Sequence, residues 1–244
     1  MNTSPSPRPS PTDAARRGFS LVELLVVMAI IGILAAISAT YVSSAHGKGR
    51  SVECQNNLKA WGASLHAFLD KDRVHAYPTA GTGERGDETA WYNVLPPLMD
   101  NVKPLRDYGD DDKTLPRPSS GIRSPYVCPS ARGEGIFSYA FNKRLVHNGK
   151  RLRNSQVKNA STVVVFMDAP STTACAANEN DVLRDNSESF RHSNMINIAF
   201  ADGSVRSFRR DKIAAGSDTP NEVNGAGILW DPWPEDGGSG VSTH

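Results

Sequence analysis

The sequence predicts an α+β protein: a long N-terminal helix, half apolar and half amphipathic, packed on an antiparallel β-sheet. Three observations predict it. Residues 19–39, FSLVELLVVMAIIGILAAISA, hold one charge, Glu23, in 21 residues. Residues 51–72 place Leu58, Trp61, Leu65, Phe68 and Leu69 at helical spacing, with Lys59, Ser64 and Asp70 off that stripe. Late in the chain come a β-branched run, Thr162–Asp168, and an alternating run, 194–201. Asp202-Gly203 and a return run, Ser204–Phe208, follow.

The totals narrow the function. The chain has 244 residues, enough for one good domain with additions. Lys and Arg number 27 and Asp and Glu 26, so the net charge of +1 gives no basic field of the kind a nucleic-acid binder shows. No nucleic-acid partner is required. Cys54, Cys128 and Cys175 have no C-x-x-C spacing, which argues against zinc-ribbon or thioredoxin chemistry.

The first 18 residues, MNTSPSPRPSPTDAARRG, are rich in Pro, Ser and Thr and cannot bury a core. As a helix, the apolar run that follows would be about 31 Å long, the thickness of a bilayer's hydrocarbon core. Arg8, Arg16 and Arg17 precede it and no basic residue interrupts it, which predicts a cytoplasmic N-terminus and an extracytoplasmic remainder. Glu23 is out of place in such a span, where an ionised side chain costs about 2.5–3.5 kcal/mol. A plain signal anchor explains the apolar run but not Glu23. A twin-arginine signal explains Arg16-Arg17 but wants a shorter, less apolar run.

Gly18-Phe19-Ser20-Leu21-Val22-Glu23-Leu24-Leu25 resembles the cleavage and methylation motif of type IV prepilins and type II secretion pseudopilins. The resemblance implies a cut by a prepilin peptidase between Gly18 and Phe19, methylation of the new Phe19 amine, and a conserved assembly role for Glu23. It also implies a pilin-like fold. The divisions expected are a cleaved leader, 1–18, a transmembrane and assembly helix, 19–45, an extracytoplasmic domain, 46–214, and a partly flexible tail, 215–244. Implied partners are the peptidase, other pilin or pseudopilin subunits, and an inner-membrane assembly platform. Gly32 and Ala36, four apart, are candidates for close helix approach.

Beyond the span, Gly47 and Gly49 are expected to loosen any helix that crosses them. The region 73–160 is rich in proline and loops, with a short helix expected near Trp91–Met99 that Pro96-Pro97 would end or break. A subgroup of pilin-like proteins shows related text to Cys54-Gln55-Asn56-Asn57-Leu58, Cys128-Pro129-Ser130 and Ser138–Asn142. That subgroup often ends in a His-x9-Asp-Gly segment, matched here by His192, Asp202 and Gly203. Its role does not carry over with the resemblance. Asp202-Gly203 reads as a two-residue hairpin turn and His192 as a packed or capping histidine. At strand rise the two would lie about 33 Å apart and could not form a dyad.

Cys54–Cys128 is the preferred disulfide, because Cys128 sits in a loop long enough to return to the helix that Cys54 opens. Pairing with Cys175, or free thiols, stays open. No nucleophile motif is present, so no enzymatic activity is expected. No cofactor is expected either. Calcium is the one exception to weigh, since Asp181, Asp185 and Glu188 lie in a late loop of the kind in which major pseudopilins hold it. Asp110-Asp111-Asp112 reads as a solvated run. An alternative function is a membrane-anchored binding module for a glycan or secreted substrate, using Trp91, Tyr92, Trp230 and Trp233 as an exposed patch.

Overall fold

In the computed structural model, helix α1 runs from Leu21 to Lys71. Described are residues 19–109, 115–133, 135–172, 175–184, 188–214 and 219–233. The leader with Gly18, the Asp110–Asp112 run, Asp185 and the chain from 234 onward lie outside them. α1 passes through Gly47 and Gly49 without a break, contrary to the expectation of a loosened passage. Each glycine costs about 1 kcal/mol, but extending a helix already nucleated on both sides costs far less than restarting it.

The chain forms two compact units, residues 1–45 and 46–244. In the first, the apolar residues of Leu21–Ser38 face outward with nothing packed on them, and Leu21, Ile33 and Leu34 are all more than half exposed. That helix is long and apolar enough to cross a membrane.

The second unit is built around a sheet. α2 is Trp91–Val94, and the chain then turns through a 3₁₀ segment, Pro96–Leu98. The prolines end the short helix where the sequence expects, since a proline cannot donate to the turn before it. Next come β1 (Phe137–Asn142), a small hairpin of β2 (Val146–His147) and β3 (Lys150–Arg151), and β4 (Val164–Thr172). Then follow β5 (Ala176–Ala177), α3 (Glu179–Arg184), β6 (Met195–Phe200), β7 (Val205–Arg209) and α4 (Arg210–Ala214). The main sheet has the order β5-β1-β4-β6-β7, antiparallel except for the β5–β1 edge.

This sheet is covered on both faces. Leu58, Trp61 and Leu65 of α1 pack with Val165, Phe166, Phe141 and Ala199. Trp61 meets Trp91 edge to face at 4.7 Å and donates its indole N–H to Pro125 O at 2.8 Å. On the other face Val182, Ile213, Ile228 and Trp230 join Val164, Met167, Ile196, Ile198 and Phe200. The first half of β4, Val164–Met167, is therefore apolar without alternation, as a strand buried on both sides must be. A register shift between Val164 and Phe166 lets Val165 and Phe166 both serve the α1 side.

Two expectations change here. The apolar face of β6 (Ile196, Ile198, Phe200) packs away from α1, whereas its neighbours Asn197 and Ala199 lie on the α1 side. And the hairpin loop is three residues, Ala201-Asp202-Gly203, rather than two. Gly203 N–H donates to Phe200 O at 2.9 Å, Phe200 N–H donates to Ser204 O at 2.9 Å, and Gly203 sits at φ +81°. That is a type I turn closed by a left-handed glycine, the three-residue solution for an Asp-Gly hairpin.

Residues 219–233 pack onto this unit. Leu229 N–H donates to Thr162 O and Val164 N–H donates to Leu229 O, at 2.9 and 3.0 Å. Trp230 is buried, and Trp233 donates its indole N–H to Arg144 O at 2.7 Å.

Candidate functional site

Three places hold the residues singled out by sequence. The first is the start of α1. Ser20 caps the helix: its Oγ accepts from Val22 N–H at 3.4 Å, while Glu23 Oε2 accepts from Ser20 N–H at 3.0 Å. Ser20 and Glu23 thus cap the helix reciprocally, as in a capping box but with the Ser20 hydroxyl on Val22 N–H, a signal present in the sequence and read there only as part of a longer motif. It places the one carboxylate of the span at the positive end of its helix. Phe19 is exposed beside it. Gly32 and Ala36 lie on the bare surface of the helix, and a Cβ on Gly32 would meet nothing within 4 Å. Small residues there leave room for a close helix neighbour.

The second place is the rim of the sheet where β6 begins. Cys54 and Cys128 are joined in a disulfide and both are buried. Cys128 Sγ lies 3.4 Å from His192 Nε2, and that nitrogen lies 3.5 Å from Asp168 Oδ2. Asp168 is buried in β4. It accepts from Arg191 Nη2 at 3.1 Å and from Asn197 N–H at 2.8 Å. Arg191 also donates to the carbonyls of Ser138, Ala169 and Glu188. One buried ion pair therefore ties β1, β4, the turn before β6, and β6 itself.

His192 is held by a tight turn, with Met195 N–H donating to His192 O at 3.1 Å. Its two central residues, Ser193 and Asn194, have φ of 54° and 64°. Left-handed backbone at two successive non-glycine residues is strained, and it persists because the surroundings fix it. Burial pushes the His192 ring below its ordinary pKa, Asp168 pulls it back up, and Arg191 and Arg50 push it further down. The ring is neutral at pH 7. A sulfur pair already joined as a disulfide offers no thiolate, so Cys54, Cys128 and His192 do not form a metal centre in this oxidised state.

The third place is the β6–β7 hairpin. Asp202 Oδ1 accepts from Ser204 N–H at 2.9 Å, and Asp202 N–H donates to Ala160 O. A Cβ on Gly62 of α1 would meet Gly203 Cα at 3.6 Å, and one on Gly203 would meet His66 Nε2 at 3.4 Å. Asp202-Gly203 thus seats the hairpin against α1. His192 and Asp202 stand at opposite ends of β6 and form no dyad.

Of the calcium candidates, Asp185 lies outside the described residues, and the other two have partners of their own. Asp181 is held by Lys143 at 2.7 Å and Arg184 at 2.6 Å, and it exchanges hydrogen bonds with Asn178 as a cap of α3. Glu188 stands beside Arg191, and its main-chain oxygen accepts from that guanidinium. The aromatic patch is overturned: Trp91, Tyr92 and Trp230 are buried core residues, and only Trp233 is partly exposed. Tyr92 is a buried residue of α2, and burial pushes its pKa up to about 12. Cys175 is a buried free thiol whose Sγ lies 3.3 Å from the carbonyls of Ala80 and Gly81; burial pushes its pKa up to about 11.

Sequence reasoning missed Asp168, Arg191 and Asn197 as a unit. A carboxylate closing the apolar run Val163–Asp168 was the available signal, since a buried charge demands a partner.

The bare apolar helix and the sheet packed beneath its continuation are consistent with a pilin-like fold, and the N-terminal segment is similar to that of type IV pilins. Residues 13–39 match the model of the prokaryotic N-terminal methylation motif. The chain is 45% identical over 58 residues to the type IV major pilin protein PilA of Myxococcus xanthus (strain DK1622), a match covering 23% of this chain and 26% of that protein. The chain thus spans about a quarter of the length of the curated relative it matches. No solved structure matches it.

Proposed function

We propose that this chain is a structural subunit of a type IV pilus-like filament or a type II secretion pseudopilus. A prepilin peptidase cuts it between Gly18 and Phe19. The helix from Phe19 onward spans the inner membrane with its N-terminus cytoplasmic, and residues 46–244 lie outside the membrane. The work of the chain is assembly, through an inner-membrane platform and neighbouring helices, and not catalysis.

One observation carries this reading. The apolar surface of Leu21–Ser38 is wholly unpacked, whereas Trp91, Tyr92 and Trp230 are buried in the core of the second unit and do not form the exposed patch a glycan would need. An exposed apolar surface of that extent needs lipid or other helices. Glu23 is the one charged group on it, and cleavage would create an amine four residues away. That amine, on a neighbour or on the same chain, would neutralise the carboxylate and set axial register.

The test is intact mass of protein extracted from its native membrane. The expected chain has 244 − 18 = 226 residues and begins at a methylated Phe19. An uncut chain overturns the reading. Glu23→Ala should then insert normally and fail to enter filaments or pseudopili; normal incorporation overturns the register role.

A further inference from the structure

The rim of the sheet at His192 opens onto a cavity of about 520 Å³, bounded by Gly47–Ser51 of α1, by Pro129–Arg132 after the disulfide, and by Arg191–Met195. Its charged lining is of one sign. Lys48, Arg50, Arg132 and Arg191 line it, and among the described residues no Asp or Glu does. Asp168 lies behind the wall and balances only Arg191. Lys48, Arg50 and Arg132 are exposed. Like charges gathered around one concavity repel, which is unfavourable unless an anion enters.

Two buried polar atoms of the lining residues lack a partner: Arg191 Nε and His192 Nδ1. Both side chains are more than nine-tenths buried, at 6% and 2% exposure. Arg191 Nε is an obligatory donor. His192 Nε2 faces the Cys128 sulfur and the Asp168 carboxylate, two acceptors, so Nε2 carries the ring proton and Nδ1 offers a lone pair. A ligand suited to this site brings anionic oxygens for the guanidinium groups and a hydroxyl for His192 Nδ1. A phosphate that keeps one P–OH supplies both. Sulfate and carboxylates at neutral pH supply only the oxygens.

We infer that this cavity binds a phosphate group through Lys48, Arg50, Arg132 and Arg191, with His192 accepting from its hydroxyl. The phosphate is either free or the monoester headgroup of a lipid. A headgroup suits the sequence position, since Lys48 and Arg50 follow Ser38, the end of the apolar window, by ten and twelve residues. The inference gives the His-x9-Asp-Gly segment a binding role at its histidine end and a packing role at its Asp-Gly end. It is independent of whether the chain assembles.

The experiment is isothermal titration of the full-length chain in phosphate-free, non-ionic detergent near neutral pH. One arm uses inorganic phosphate, and a second uses phosphatidic acid in mixed micelles. Sulfate at matched ionic strength is the control. Arg50→Ala/Arg132→Ala alters two exposed residues, and an unchanged melting temperature verifies its fold. Saturable binding of at least one phosphate probe is expected, weakened about tenfold or more in the double variant, with sulfate weaker than phosphate. Binding of inorganic phosphate identifies a free-phosphate site, and binding of phosphatidic acid alone identifies a headgroup site. The inference is overturned if neither probe saturates, if the double variant binds as tightly as the parent, or if sulfate matches phosphate.

Discussion

Residues 21–38 and residues 54–69 belong to the same helix, α1, and differ in what they touch. In the first stretch no residue is buried; in the second Cys54, Leu58, Trp61, Leu65 and Leu69 are all at 2% exposure or less. The first stretch is apolar on every side and the second only along one stripe. Backbone hydrogen bonding is the same in both, so helix formation does not explain the contrast; the environment of the side chains does. An all-round apolar helix can be satisfied only by a medium or by copies of itself, and a striped helix is satisfied by one sheet. Residues 46–244 hold the packed core, and under the proposed function Leu21–Ser38 carries the surface that meets partners.

Substitutions should therefore separate the two regions. The largest loss is expected for Asp168→Ala. It leaves Arg191 charged and buried without its carboxylate, and should cost about 3–5 kcal/mol in chemical denaturation of residues 46–244. Replacing both Cys54 and Cys128 with Ala removes a cross-link between residues 74 apart and should cost about 4 kcal/mol, read the same way without reductant. Gly203→Ala forces a side chain into left-handed backbone against His66 and should cost about 1–3 kcal/mol.

A smaller effect is expected with pH. The folded His192 ring titrates below its ordinary value near 6.5, so the unfolded chain takes up its proton first as pH falls. Stability is then full above about pH 6.5 and declines through the interval down to the folded value. His192→Gln should flatten that slope; an unchanged slope would show that another group sets it. Smallest of all, Glu23→Ala should leave the unfolding midpoint of residues 46–244 within about 0.5 kcal/mol of the parent. A larger shift would break the division drawn between the two stretches of α1.

The sheet shows why some of this was legible and some was not. Thr162–Asp168 and 194–201 read as strands because β-branched and alternating patterns are local. Ser138–Asn142 read only as a motif, and its pairing with β4 depends on residues about 30 positions away. Ile196, Ile198 and Phe200 read as one face, but which layer that face meets is not a property of the strand. Alternation tells that two faces differ and says nothing about which neighbour covers each. The Asp-Gly turn was visible, whereas its three-residue form came from the Phe200–Ser204 pairing that closes it.

By itself the sequence determined the apolar span, the motif around Glu23, the amphipathic continuation and the α+β class, because each is written in neighbours a few residues apart. Tertiary structure alone decided that Asp168, Arg191 and His192 meet beside the Cys54–Cys128 disulfide. It also decided that Trp91 and Trp230 are core rather than surface, and that α3, α4 and residues 219–233 close the second face of the sheet. Those outcomes depend on contacts between residues far apart in the chain, where burial and charge pairing are settled by which surfaces come together and not by local pattern.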